Sequence, residues 1–162
     1  MSIALSISAL LFSVYGVLSL GVGLFVPFAI RASHSGHGAG PPGLFHSRPD
    51  AVLFGSRPLA DDDARRVGVF SVMMWDWLSG TLVSFGILQL ALVWFGLTKG
   101  DAWAYWALVG ADLSIAPFWA LIIARYVRAG ARLRLLEIPP LIWVPTAVIP
   151  PAMILGWIAI QG

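Results

Sequence analysis

The sequence predicts an all-α fold: a polytopic membrane protein, a four-helix transmembrane bundle with both termini on the non-cytoplasmic side. Three observations lead there. Of 162 residues, 59% are hydrophobic and only 11% are charged, whereas a soluble domain carries about 25% charged residues. Four apolar runs, at about residues 3–30, 67–97, 102–124 and 139–161, each reach the ~20 residues that a span needs. The basic residues are also segregated. Arg31, Arg48, Arg57, Arg65 and Arg66 lie between the first two runs, and Arg125, Arg128, Arg132 and Arg134 between the last two. Lys99 stands alone between the second and third. In a four-span chain the first and third connections share a side, and the positive-inside rule makes that side cytoplasmic. The expectation is one membrane domain over residues 1–162 with a cytoplasmic loop at 31–66, in a membrane of the bacterial inner (plasma) type.

Composition removes several functions. The absence of cysteine excludes disulfides, thiolate metal sites and a cysteine nucleophile. No basic stretch is interleaved with aromatics, so nucleic acid is not an expected partner. Membrane lipids and an apolar small-molecule ligand are the expected partners, with a homo-oligomer or a larger membrane complex as a further expectation. No cofactor is expected.

The first run carries no charge before Arg31. A signal peptide places its basic residues ahead of a shorter apolar stretch, so the run reads as a retained helix. Ser6, Ala9, Ser13, Gly16, Leu20 and Gly23 recur at spacings of three and four. They form a mostly small face of the kind that lets membrane helices approach closely. Pro27 is expected to kink or end this helix.

The connection that follows is polar and rich in breakers. Ser33 to Gly43 is dominated by glycine, serine and histidine and reads as a solvated flexible loop. His34, His37 and His46 raise a metal reading, but ligating histidines normally sit on a rigid element with a third ligand, and no metal is expected. Ser47-Arg48-Pro49 recurs as Ser56-Arg57-Pro58 around a short apolar stretch, either a packed loop or one interfacial turn. Asp61, Asp62 and Asp63 open the second helix, where acids satisfy free N–H groups and complement the dipole.

A short turn, Thr98-Lys99-Gly100-Asp101, leads to the third run, which opens with Trp103, Tyr105 and Trp106, as an interfacial aromatic belt does. The fourth follows Pro139-Pro140 and contains Pro145, Pro150 and Pro151. Missing amide donors there predict a helix that is bent or locally open.

Two acids interrupt the apolar runs, Asp76 and Asp112. An ionisable group at membrane depth costs roughly 3 kcal/mol or more, which makes it a functional candidate. Asp76 lies nine residues past Val67 and Asp112 nine past Trp103, so each is expected ~14 Å into its span. From opposite faces of a core about 30 Å thick, that puts both near the midplane on antiparallel neighbours, facing each other. Met73, Asp76, Gly80, Val83 and Ile87 share one face of the second helix, and Gly80 leaves room beside the acid. Trp75 and Trp77 point to either side of it. On the third helix Tyr105, Val109, Asp112, Ala116, Trp119, Ile123 and Tyr126 form a stripe. Paired carboxylates serve as proton donor and acceptor, and aromatic faces steady positive charge.

The resulting expectation is a small membrane enzyme, an isomerase or cyclase for an isoprenoid or sterol-like lipid. Asp76 and Asp112 are its candidate catalytic residues, and Trp75, Trp77, Gly80, Tyr105, Trp119 and Tyr126 line its candidate substrate site. Two other classes fit the same residues: a non-catalytic subunit or scaffold whose acids join helices, and a proton-coupled carrier of a hydrophobic or cationic compound. In size and acid placement the chain resembles small membrane isomerases of the emopamil-binding type and four-helix multidrug carriers. It aligns with the motif residues of neither, and no site is carried over.

Overall fold

The computed structural model describes residues 2–34, 61–130, 132 and 140–161. Four long helices carry the described chain: α1 (Ile3–His34), α2 (Asp61–Phe95), α3 (Ala102–Arg128) and α4 (Pro140–Gln161). All four are long and apolar enough to cross a membrane, and there is no strand among the described residues. Of the loop expected at 31–66, residues 31–34 are the last turn of α1, so the tract from Ser33 begins as helix, and residues 61–66 open α2; the rest, with His37, His46 and the repeated Ser-Arg-Pro triplets, lies outside the described residues, as does the side chain of His34.

Local chemistry sets the helix ends. Ser2 Oγ accepts the Leu5 N–H at 3.2 Å, satisfying one of the donors that an α-helix leaves open at its start. α1 then continues through Pro27 to His34, so the proline does not end it. A proline deprives only one carbonyl of its partner, and the flanking turns hold. The turn between α2 and α3 is a 3-10 segment, Leu97–Lys99, closed by Gly100 at φ +83° with its N–H on Leu97 O. A residue with a Cβ is strained at that angle. Asp101 O then accepts the N–H groups of Ala104 and Tyr105 and starts α3. Pro140 stands first in α4, where its missing N–H costs nothing. The helix runs unbroken past Pro145, Pro150 and Pro151, so the expected local opening is absent from the backbone. Two side chains clamp it just beyond the proline pair. Ser8 Oγ donates to Ala152 O at 2.7 Å and Tyr105 Oη to Met153 O at 2.8 Å.

α1 is the central element and packs most extensively on α2, then on α4. Its small face accounts for the first contact. A Cβ built on Gly86 meets Gly16 O at 2.7 Å and the Leu20 nitrogen at 2.8 Å. One built on Gly23 meets Ser79 O at 2.8 Å. The backbones therefore touch where Gly16 and Leu20 cross Gly86 and where Gly23 crosses Ser79 and Val83, as small residues permit in lipid. α3 is held differently. It meets α2 and α4 only lightly, and 17% of its most apolar stretch is buried against 33% for α1 and α2.

The core has two apolar layers. One contains Leu5, Ala9, Phe12, Val93, Leu97, Tyr105, Leu108, Val109 and Ala152. The other contains Tyr15, Leu82 and Ile149, with Phe85, Trp119 and Met153 packed against it. The order of these residues along each helix puts the first layer near the α2–α3 turn and the second toward the arginine-bearing ends. Between them lies a polar level.

Candidate functional site

Asp112 occupies that level. It is 3% exposed and Gln89, opposite on α2, is 2% exposed. The contact between them follows from the hairpin. Counted from the turn at 97–101, Gln89 lies ten residues before Lys99 and Asp112 ten residues after Ala102, so the two stand level on antiparallel helices. Gln89 Nε2 donates to Phe12 O at 3.2 Å and makes a long contact of 3.5 Å with Asp112 Oδ2. A carbonyl only accepts, so the Phe12 contact decides which way the amide faces. One side chain thus joins α1, α2 and α3.

The remaining polar atoms are less well served. Asp112 Oδ1, Gln89 Oε1, Ser19 Oγ and Ser79 Oγ are buried with no hydrogen-bond partner among the described residues. Tyr15, 1% exposed, lies near enough to Asp112 for a carboxylate charge to act on its hydroxyl. That hydroxyl also approaches Ser19, one helical turn on, without reaching good hydrogen-bond geometry. Tyr15 meets Phe85 edge-on, with centroids 5.6 Å apart. Ser79 is separate, ten residues before Gln89 on α2 and against Gly23.

Asp76 is not part of this group. Gln89 is thirteen residues beyond it on α2, about 20 Å along the axis. The expected face-to-face acid pair is therefore overturned. Depths taken from Val67 and Trp103 do not meet, because the run from Val67 to Leu97 is about 45 Å long as a helix, longer than a core of about 30 Å. Asp76 is partly exposed and engages in interactions of its own. The hairpin count that brings Gln89 to Asp112 brings Asp76 to the level of Arg125.

The aromatic candidates separate in the same way. Trp119, seven residues beyond Asp112 on α3, packs on the layer that contains Tyr15. Tyr105 is buried two turns away in the other layer and is spent on α4: its hydroxyl binds Met153 O, and a Cβ on Gly156 would meet its ring at 2.7 Å. Tyr126 is buried near the far end of α3 with partners of its own. Trp77 is 68% exposed and Gly80 has nothing within 4 Å of its built Cβ, so that face of α2 points outward. Trp75 is partly buried beside Asp76 and has an interaction partner.

No protein-family model, curated protein or solved structure matches this chain. Among the described residues no three histidine, aspartate or glutamate side chains gather as a metal would require. Nor does a basic side chain stand level with Asp112. Arg125 is thirteen residues away on the same helix, about 20 Å. Gln89 and Tyr15 were not foreseen. The signal for Gln89 was in the composition: the chain has no asparagine and only two glutamines, and Gln161 lies at the far end of α4.

Proposed function

We propose that this chain is a proton-coupled membrane carrier for a small hydrophobic or cationic compound, with Asp112 as its proton site. The observation that carries the reading is the buried, singly contacted carboxyl of Asp112 beside an amide. A lone charged carboxylate in lipid is costly, so its stable states are a proton on the acid or a cation beside it, and exchange between them is the minimum chemistry of such a carrier. The light packing of α3 supports the reading, because the helix bearing the acid is the one least fixed by its neighbours. Tyr15, with Phe85 and Trp119 packed in its layer, supplies aromatic surface for an apolar cation.

The orientation belongs to the same proposal. Nine arginines around two connections against Lys99 at the third support both termini outside, and the membrane we propose is of the bacterial inner type. Single cysteines at Ser2 and Gly162 should react with impermeant reagents on intact cells, and labelling of the 31–60 loop in place of the termini overturns the orientation.

Transport is tested in proteoliposomes with ethidium as the cationic probe and a trapped pH indicator. The wild-type chain should move protons against ethidium, and Asp112→Asn should abolish the exchange with the bundle still folded. Unaltered exchange in Asp112→Asn would falsify the carrier reading. The second reading, an isomerase working with the single acid Asp112, draws on Tyr15 near that acid. It predicts a chemically altered lipid in wild-type membranes that disappears in Asp112→Asn.

A further inference from the structure

Two buried acceptors, Asp112 Oδ1 and Gln89 Oε1, lack partners although their own groups are in contact through the other two atoms. Acceptors do not satisfy each other, and a site with this pattern is short of one hydrogen. The fixed orientation of the amide says where it goes. Of the two hydrogens on Gln89 Nε2, one is directed to Phe12 O. The other is directed to Asp112 Oδ2, and a ring closes through the two orphaned oxygens when that hydrogen is the one on the Oε1 side of the amide.

We infer that Asp112 and Gln89 form a neutral cyclic acid–amide pair, in which Asp112 Oδ1 carries a proton and donates it to Gln89 Oε1. A single proton then satisfies both orphaned oxygens. Gln89 becomes a positioning residue for the proton, and Phe12 O orients Gln89. The inference rests on the reading of Asp112 as the proton site and adds what holds the proton there. When the O–H bond breaks and the proton passes to a water molecule, its electron pair stays on the carboxylate. Oδ1 and Oε1 then repel, and the attachment of α3 to α1 and α2 loosens. The pair is thus a latch on the most lightly packed helix.

Few other groups bear on the latch. Tyr15 is the titratable side chain facing it from α1, and Gln89 itself faces it from α2. α4 contributes Ile149, Ala152 and Met153 to the adjoining layers, none of which titrates. On α3 the nearest charges in sequence are Asp101 and Arg125, each more than ten residues away.

The experiment is infrared spectroscopy of the purified protein in lipid nanodiscs at neutral pH, comparing wild type with Asp112→Asn and Gln89→Leu. A protonated-carboxyl band absent from Asp112→Asn is expected in wild type, at the low frequency that hydrogen bonding at both oxygens produces. Gln89→Leu should shift that band upward. Should Gln89→Leu not fold, selective nitrogen-15 labelling of glutamine in the unaltered chain reads the same pair. Only Gln89 and Gln161 contribute, and both Gln89 amide hydrogens should exchange with deuterium at least tenfold more slowly than those of Gln161. The inference is overturned if no Asp112 carboxylic-acid band exists, if Gln89→Leu leaves its frequency unchanged, or if the Gln89 amide exchanges as fast as Gln161. None of these readings needs a transported compound. A failed ethidium assay with the band and its shift intact removes the carrier and leaves the latch.

Discussion

α1 meets α2 through bare backbone and meets α3 through large and polar side chains. At the first seam glycines bring the helices together until an added methyl group would touch a carbonyl oxygen. At the second, Phe12, Tyr15, Gln89 and Asp112 fill the space. The contrast separates two tasks. A glycine crossing has no second arrangement of similar energy, because close-packed backbones do not slide gradually. A seam joined by an amide and an acid can be made or broken by one proton. The scaffold is α1–α2, with α4 joined to α1 by Ser8, and the part suited to movement is α3, which the Tyr105 hydroxyl ties to α4 near the α2–α3 turn.

The comparison breaks most sharply at the glycines. Gly86→Leu should cost about 3 kcal/mol, the upper part of the range for overpacking, because its Cβ meets Gly16 O and the Leu20 nitrogen at under 3 Å. Gly80, on the same helix, has nothing within 4 Å of its built Cβ. Gly80→Ala should be neutral or stabilising by up to about 1 kcal/mol from helix propensity. Thermal unfolding in detergent measures both. Equal effects at the two positions would mean that the α1–α2 seam is looser than its geometry requires.

The polar seam should respond to chemistry more than to size. Asp112→Leu leaves Gln89 buried without its neighbour, a loss of about 2 kcal/mol by the cost of orphaning a buried polar group. Asp112→Asn keeps a donor and an acceptor opposite the amide and should stay within about 0.5 kcal/mol of wild type, a surface-like effect. It should nonetheless lose proton exchange. A further step down lies on α4. Ser8→Ala and Tyr105→Phe each remove one bond to a carbonyl that already has a helical partner, and about 0.6 kcal/mol apiece is expected, the average for interhelical hydrogen bonds in membranes. Chemical denaturation in the same detergent compares the two with Asp112→Leu.

The architecture was legible because lipid imposes it. Four runs of the required length, a stripe of small residues at Gly16, Leu20 and Gly23, and a buried Asp112 all follow from composition and spacing. The partner of Asp112 was not read. Val67 and Trp103 are not separated by one bilayer core: the run from Val67 to Leu97 is about 45 Å long as a helix, so equal depths from the two ends fall at different levels. Counting both helices from their shared turn needs no estimate of where the membrane begins, and it pairs Asp112 with Gln89 and Asp76 with the level of Arg125. Pro27 does not end α1 and the α4 prolines do not open α4. A proline's cost is local, and the hydrogen bonds on either side of it are enough to carry a long helix through.

The smallest effect is expected at Asp76, and it bears most directly on the function. Asp76 and Asp112 have the same side chain, yet one is partly exposed, thirteen residues before Gln89 on α2, and the other is sealed at mid-bundle. Near the interface a carboxylate reaches water or headgroups, so removing its charge relieves little desolvation. Asp76→Asn should therefore change stability by less than about 0.5 kcal/mol and leave the Asp112 carboxyl band and proton–ethidium exchange at wild-type values. The distance makes this a strict expectation, since about 20 Å of helix lies between Asp76 and Gln89 and direct proton transfer between the acids is impossible. If Asp76→Asn stops exchange with the Asp112 band and the stability unchanged, protons reach the centre from the arginine-bearing side by way of Asp76. The two acids would then be successive stations on one route and not a scaffold residue and a working one.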